Sequence, residues 1–358
     1  MSQQRIAFNA GMKTMIPTAI QLSGTTTKPH PSVWQTGLRR TKMGQLVNGE
    51  WQTEALLAKN RDGKFKRQDS AFRNWLSPDP EAEFPAEAGR YHLYVSYACP
   101  WAHRTLIFRA LKGLGDMISV SVVHWHMGDN GWQFDRDAGL ADDLADRDFL
   151  YQVYADALAD YTGRVTVPVL WDKKTNKLVS NESAEIIRMF NSAFDGVGAA
   201  EGDYYPDHLR DEIDAVNARV YNDVNNGVYK SGFATSQKAY EEAVTALFGT
   251  LDWLEDRLGQ QRYLAGDQLT EADWRLFPTL VRFDPVYHGH FKCNRQMLHE
   301  YPNLWNYTKA LYQQPGVKET VHMDHIKNHY YQSHPSVNPS GVVPVGPDLD
   351  LDGAHNRG

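Results

Sequence analysis

The chain has little cysteine: Cys99 and Cys293 are the only two in 358 residues. Two thiols cannot build a disulfide framework, which points to a reducing compartment rather than a secreted scaffold. No apolar run is long enough to span a bilayer, so no membrane partner is expected. A positive balance is missing as well. Lys and Arg number 37 against 44 Asp and Glu, a formal net charge of -7, which argues against a nucleic-acid footprint. The first stretch lacks acid altogether: no Asp or Glu precedes Glu50, whereas Arg5, Lys13, Lys28, Arg39, Arg40 and Lys42 do. Residues 1–42 therefore read as a transit-type leader, as a disordered arm, or as sequence ahead of a true start at Met43. The expected location is cytoplasmic, or organellar if this arm is a leader. The remaining balance, 42% hydrophobic and 23% charged, is that of a globular chain with a sizeable core, long enough for two domains.

Residues 43–88 are rich in turn formers and read as an irregular extension. From Arg90 the texture changes. "RYHLYVSY" alternates and is β-prone, and "CPWAHRTLIFRALKGLG" follows as a helix with Pro100 in its first turn. "ISVSVVHW" is a second strand, 135–161 an acidic stretch with helical character, "RVTVPVLWD" a third strand and "LVSN" a fourth. "ESAEIIRMFNSAF" then reads as a helix. The order β-α-β-(α)-β-β-α over 89–200 is that of a thioredoxin-like domain, with a parallel crossover first and a hairpin second. Over 205–334 strand signals fade. Val244, Leu247, Leu251, Leu254 and Leu258 share one helical face, and Thr270 with Asp273 has capping-box spacing, flanked by a Leu269–Trp274 staple. This half is expected to be all-helical. The Pro- and Gly-rich tail, 335–358, is expected to be extended with a disordered end.

Cys99 lies between a strand end and a helix start. Unpaired N–H groups there favour thiolate, the nucleophilic form, and His103 and Arg104 could add positive potential, so a depressed pKa is expected. The residue at +3 is Ala102, which removes an internal dithiol cycle. A mixed disulfide on Cys99 must then be resolved by an external thiol, of which glutathione is the abundant one. Cys293, in "HFKCN", reads as structural. In thioredoxin-like folds the proline that opens the third strand is cis, so Pro168 would expose the backbone of Val167 to an extended peptide ligand. "SNESAEII" puts Glu182 and Ser183 at a helix start, where a carboxylate ligand is favoured and Glu182 could pair with an amine. Glutathione's γ-glutamyl end has both groups, and capping by Asn181 or Ser183 is the plain alternative. His322, His325 and His329 share a helical spacing but converge with no carboxylate or thiolate, so no metal is expected. His124 and His126 read as structural.

Taken together, these segments resemble the glutathionyl-hydroquinone reductases, the xi class of glutathione transferases. The resemblance rests on "MGQLVNGEW" (43–51), "SAFRNWL" (70–76), "CPWAHRT" (99–105), "GRVTVPVLWD" (163–172), "NESAEIIRMFN" (181–191), "NNGVYKSGFA" (225–234), "RFDPVYHGHFKCN" (282–294) and "HYYQSHPSVNPSGVVPVGP" (329–347). It covers nearly everything from Met43 to Pro347, and departs at the extra N-terminal residues and the acidic end. It implies an α+β two-domain glutathione transferase fold, thioredoxin-like then all-α. It implies a homodimer that uses glutathione as co-substrate and acts on glutathionyl-hydroquinones. It further implies Cys99 as nucleophile, with Trp132, Arg164, Val167, Pro168, Glu182 and Ser183 around glutathione. Tyr229 and Tyr330 would face the hydroquinone, with Tyr287 a further contact. The rivals are a broader cysteine-type transferase acting on disulfides or dehydroascorbate, and a non-catalytic ligand carrier.

Overall fold

A computed structural model describes residues 44–53 and 62–357. The N-terminal arm, with its three readings, lies outside them. The described residues begin with a tight hairpin, β1 (Gln45–Val47) and β2 (Glu50–Gln52), turned by Asn48 and Gly49 at φ 49° and 78°. Next come β3 (Tyr91–Val95), α1 (Pro100–Leu111), β4 (Ile118–Val122), a short hairpin of β5 (Met127–Gly128) and β6 (Gly131–Trp132), and α2 (Leu150–Ala157). A third hairpin, β7 (Val169–Asp172) and β8 (Lys177–Ser180), leads into α3 (Ser183–Ser192). The main sheet has the order β4-β3-β7-β8, with β3 parallel to β4 and antiparallel to β7. That is the crossover-then-hairpin arrangement expected from the order of elements. All five residues of β3 are buried, because a central strand is covered on both faces despite its alternating sequence.

The extension at 62–88 is less irregular than its composition suggests. The Asn74 N–H donates to the Val179 carbonyl at 3.0 Å, and the Asn181 N–H to the Phe72 carbonyl at 3.1 Å, so the segment runs along the β8 edge. This covers an edge that would otherwise stay open. It also lays residues 67–73 beside the start of α3.

The second half is helical: α4 (Arg210–Val220), α5 (Gly227–Gly232), α6 (Gln237–Leu258), α7 (Glu271–Arg282), α8 (Pro302–Tyr312) and α9 (Met323–Ser333). Four of the five apolar positions expected on α6 are buried, and Val244 is half-buried. The capping box forms at α7: the Thr270 N–H donates to Asp273 Oδ2 at 2.8 Å. Two π-helical turns interrupt the helices, at Tyr221–Asn225 and Phe283–Tyr287. Such turns recur at functional sites. The first precedes Tyr229 and the second ends on Tyr287.

The tail is extended, and its end is tied down rather than loose. Leu351 is buried, Gln313 Nε2 donates to the Leu351 and Gly353 carbonyls, and Arg357 donates to three carbonyls at Leu258, Gln261 and Arg262. Composition missed this because one buried leucine and the side-chain bonds of Gln313 and Arg357 outweigh many loop-forming residues. Among the described residues, no helix is long and apolar enough to cross a membrane.

Candidate active site

Cys99 is the N-cap of α1, and Pro100 occupies the first helical position. Proline suits that position because its missing N–H would have no partner there. The Cys99 thiol donates to the Val167 carbonyl at 3.6 Å. Burial pushes this thiol up, against the expectation of a depressed pKa. The backbone N–H groups of Ala102 and Trp101 oppose the rise, as do the Arg282 and Arg67 guanidiniums. The helix start therefore acts in the expected direction, but desolvation is larger. His103 supplies no charge: burial and Arg282 together hold its pKa well below the usual value.

The peptide between Val167 and Pro168 is cis, as the fold reading predicts. Glu182 itself caps α3, accepting from the Ala184 N–H at 3.0 Å, so neither Asn181 nor Ser183 is the cap. Its other oxygen accepts from the Ser70 hydroxyl at 2.9 Å. Ser183 Oγ lies 3.5 Å from Arg104 Nη1. Arg104 is buried, also donates to Asn225 Oδ1 at 2.7 Å, and is pushed down to about 9 by burial and by Arg275. Arg164 is half-buried, its carbonyl accepting from the Tyr161 hydroxyl at 3.0 Å, and its pKa is lowered by burial and by Arg67.

The helical half supplies a wall of phenols. Tyr229 from α5, Tyr287 from the second π turn and Tyr330 from α9 meet although they are 43 to 101 residues apart. The Tyr330 hydroxyl lies 2.5 Å from that of Tyr229 and 2.9 Å from that of Tyr287. Burial raises all three pKa values, so the phenols stay protonated at neutral pH. Charge on Cys99 raises Tyr229 further, and Arg67 lies over both Trp101, two residues from Cys99, and Tyr229. Trp132 stacks on His329, ring centroids 5.0 Å apart, and His329 lies edge-on to Tyr330 at 5.3 Å. The sequence-predicted residues thus fall into three clusters: Cys99 with Val167; Glu182 and Ser183 at the start of α3; and the three tyrosines with Trp132 through His329.

The N-terminal domain of glutathione S-transferases matches residues 98–193, and the C-terminal domain matches 237–310. The glutathionyl-hydroquinone reductase YqjG of Escherichia coli K12 is 57% identical over 88% of this chain and 98% of its own length. The glutathionyl-hydroquinone reductase PcpF of Sphingobium chlorophenolicum is 56% identical over 87% and 98%. This chain belongs to the xi-class glutathione transferases. Among solved structures, glutathione-bound YqjG superposes with TM-score 0.81 at 55% identity, covering 88% of this chain and 99% of that one. The xi-class enzyme of Natrialba magadii gives 0.83 at 53% identity, covering 88% and 97%.

Several residues of this xi-class site escaped the sequence reading. Ser70 reaches Glu182 from the extension. Arg67, from the same segment, lies over the rings of Trp101, Tyr229 and Phe65 at 4.6, 5.1 and 5.5 Å, and its Nε donates to Asn226 Oδ1 at 2.8 Å. Only the "SAFRNWL" resemblance hinted that this stretch mattered. The histidines of this region divide their contacts: His322, the N-cap of α9, stacks on Tyr97 at 3.6 Å, while His329 Nδ1 on α9 lies 2.8 Å from the Trp125 carbonyl. Among the described residues, no His, Cys, Asp or Glu group is arranged to hold a metal. Nearby, His124 Nδ1 accepts the His126 N–H at 3.0 Å, a local turn contact. Cys293 is fully buried, and burial pushes its thiol up to about 12.

Proposed function

We infer that the protein reduces glutathionyl-hydroquinones to hydroquinones with glutathione as reductant. The activity named for relatives at 56–57% identity supports this reading. The observation that carries it is a thiol at a helix N-cap, bridged by Arg67 over Trp101 and Tyr229 to a hydrogen-bonded chain of three phenols. A disulfide exchange needs the first. Protonation of an aromatic leaving group needs the second.

The Cys99 thiolate attacks the sulfur of the glutathionyl-hydroquinone. The sulfur–aryl carbon bond breaks, the aryl carbon or its tautomer takes a proton supplied through the tyrosines, and hydroquinone leaves. Cys99 then holds glutathione as a mixed disulfide. A second glutathione thiolate attacks the glutathione sulfur, releasing glutathione disulfide and the Cys99 thiolate. Trp132, Arg164, the Val167 backbone ahead of Pro168, Glu182 and Ser183 hold glutathione, and Tyr229, Tyr330 and Tyr287 face the aromatic ring.

Two domains belong to this reading, a glutathione-binding domain at 89–200, preceded by the 43–88 extension, and a helical one at 205–334. So do a homodimeric state and a cytoplasmic location. The test is product analysis with a glutathionyl-hydroquinone and glutathione, run beside dehydroascorbate. Hydroquinone and glutathione disulfide in equal amounts are expected. Turnover of dehydroascorbate alone would support the broader transferase, and no turnover of either the carrier.

A further inference from the structure

Arg282, the last residue of α7, is fully buried. Four of its five N–H groups have partners, and every partner is neutral. Nε donates to the Ala98 carbonyl at 3.1 Å and Nη2 to the Tyr97 carbonyl at 3.1 Å. Nη1 donates to the Pro278 carbonyl at 2.9 Å and lies 2.9 Å from His103 Nδ1. His103 must present a lone pair there. Its Nε2 lies 2.7 Å from Thr320 Oγ1, whose own proton goes to the Val317 carbonyl at 2.6 Å. The Nε2 proton is therefore the donor to Thr320, and Nδ1 accepts from Arg282. No carboxylate forms an ion pair with Arg282 among the described residues.

A buried cation without an anion is costly, and a fold keeps one where an anion forms during function. Two of the four bonds go to the two residues immediately before Cys99, so the charge is locked to the turn that holds the nucleophile. We propose that Arg282 is a positioning residue that serves as the fixed counter-charge of the Cys99 thiolate, held in place through the Tyr97 and Ala98 carbonyls and stabilising the anion through space. The titratable groups under the influence of Arg282 are Cys99, His103, Tyr287, His322, His329 and Tyr330. Of these only Cys99 and the two phenols can become anions, and a thiol is ordinarily the stronger acid. Arg67 also acts on Cys99, but it is exposed, and salt screens it.

This inference rests on Cys99 as the reactive thiol, and its test does not require turnover. The rate of Cys99 alkylation by iodoacetamide is followed against pH by mass spectrometry on the full chain, for wild type, Arg282→Gln and Arg282→Lys. Arg282→Gln is expected to move the titration up, slowing alkylation near neutral pH about tenfold or more, while Arg282→Lys stays within a few-fold of wild type. A folded Arg282→Gln that titrates like wild type would overturn the proposal, as would Arg282→Lys as slow as Arg282→Gln. If Arg282→Gln does not fold, the wild-type titration at low and high salt decides. A salt-insensitive midpoint is expected of a buried cation, and a midpoint that climbs with salt would assign the effect to Arg67 instead. Turnover of glutathionyl-hydroquinone by the same proteins separates the two readings. A shifted titration without wild-type turnover would fault the function alone, and an unshifted titration with normal turnover would fault Arg282 alone.

Discussion

Cys99 and Cys293 are both pushed up by burial, yet their surroundings divide them. Around Cys293 little opposes burial beyond contributions from Ser231 and Lys292. Its thiol donates to the Phe291 carbonyl at 3.8 Å, and its pKa reaches about 12. Around Cys99 two helix-start N–H groups and two guanidiniums oppose the same desolvation, and some surface remains open. Burial alone would make either thiol inert. A usable thiolate needs groups that survive burial and still favour the anion, such as unpaired backbone donors and a cation with no carboxylate of its own.

The sharpest way to break this contrast is to swap the loss. Cys99→Ser should lower glutathionyl-hydroquinone turnover by about a thousandfold or more, as removal of a nucleophile does. Cys293→Ser should leave turnover per folded molecule near wild type. Steady-state assays check both, and a reversed ranking would end the assignment.

Tyr229→Phe or Tyr330→Phe removes a donor and keeps the ring. Hydroquinone release should slow on the order of a hundredfold, while reduction of a small mixed disulfide without an aromatic group is spared. Equal losses on both substrates would move the hydroxyls out of the chemistry. Glu182→Gln removes the charge offered to an amine but keeps an oxygen for the Ala184 N–H. Glutathione binding measured by calorimetry should weaken about tenfold with the thermal midpoint nearly unchanged. A lowered midpoint with intact affinity would make Glu182 a cap and nothing else.

The smallest effects concern the Cys293 region and are effects on stability. Cys293→Ala should cost about 1 kcal/mol in urea melts and leave glutathione affinity alone. Nearby, burial pushes His290 and His329 down to about 4. Folded pKa values below the ordinary value of about 6.5 mean that these rings contribute stability above that pH, lost as pH falls toward 4. Melting midpoints should drop across this window, and His290→Gln should flatten part of the drop.

The sheet order and helical half were legible because β-prone runs and α-periodic runs announce themselves locally. So were the strand–Cys–Pro–helix junction and the Thr270–Asp273 box, whose signals span a few residues. Ser70, Arg67 and Arg282 were not. Each acts across more than 100 residues of sequence, on Glu182, Tyr229 and the Cys99 turn respectively. An arginine's role depends on whether a carboxylate meets it, which no local pattern reveals. The predicted depression of the Cys99 pKa failed for the same reason: helix position can be read from sequence, but the depth of burial cannot. Pro278 inside α7 and the two π turns were likewise set by packing rather than by propensity.

The most direct test is the mass of the intact protein after one turnover with a glutathionyl-hydroquinone and no added glutathione. One glutathione on Cys99, none on Cys293, and one free hydroquinone per adduct are expected, with the adduct discharged as glutathione disulfide once glutathione is added. Hydroquinone release without an adduct, or an adduct on Cys293, would contradict the account.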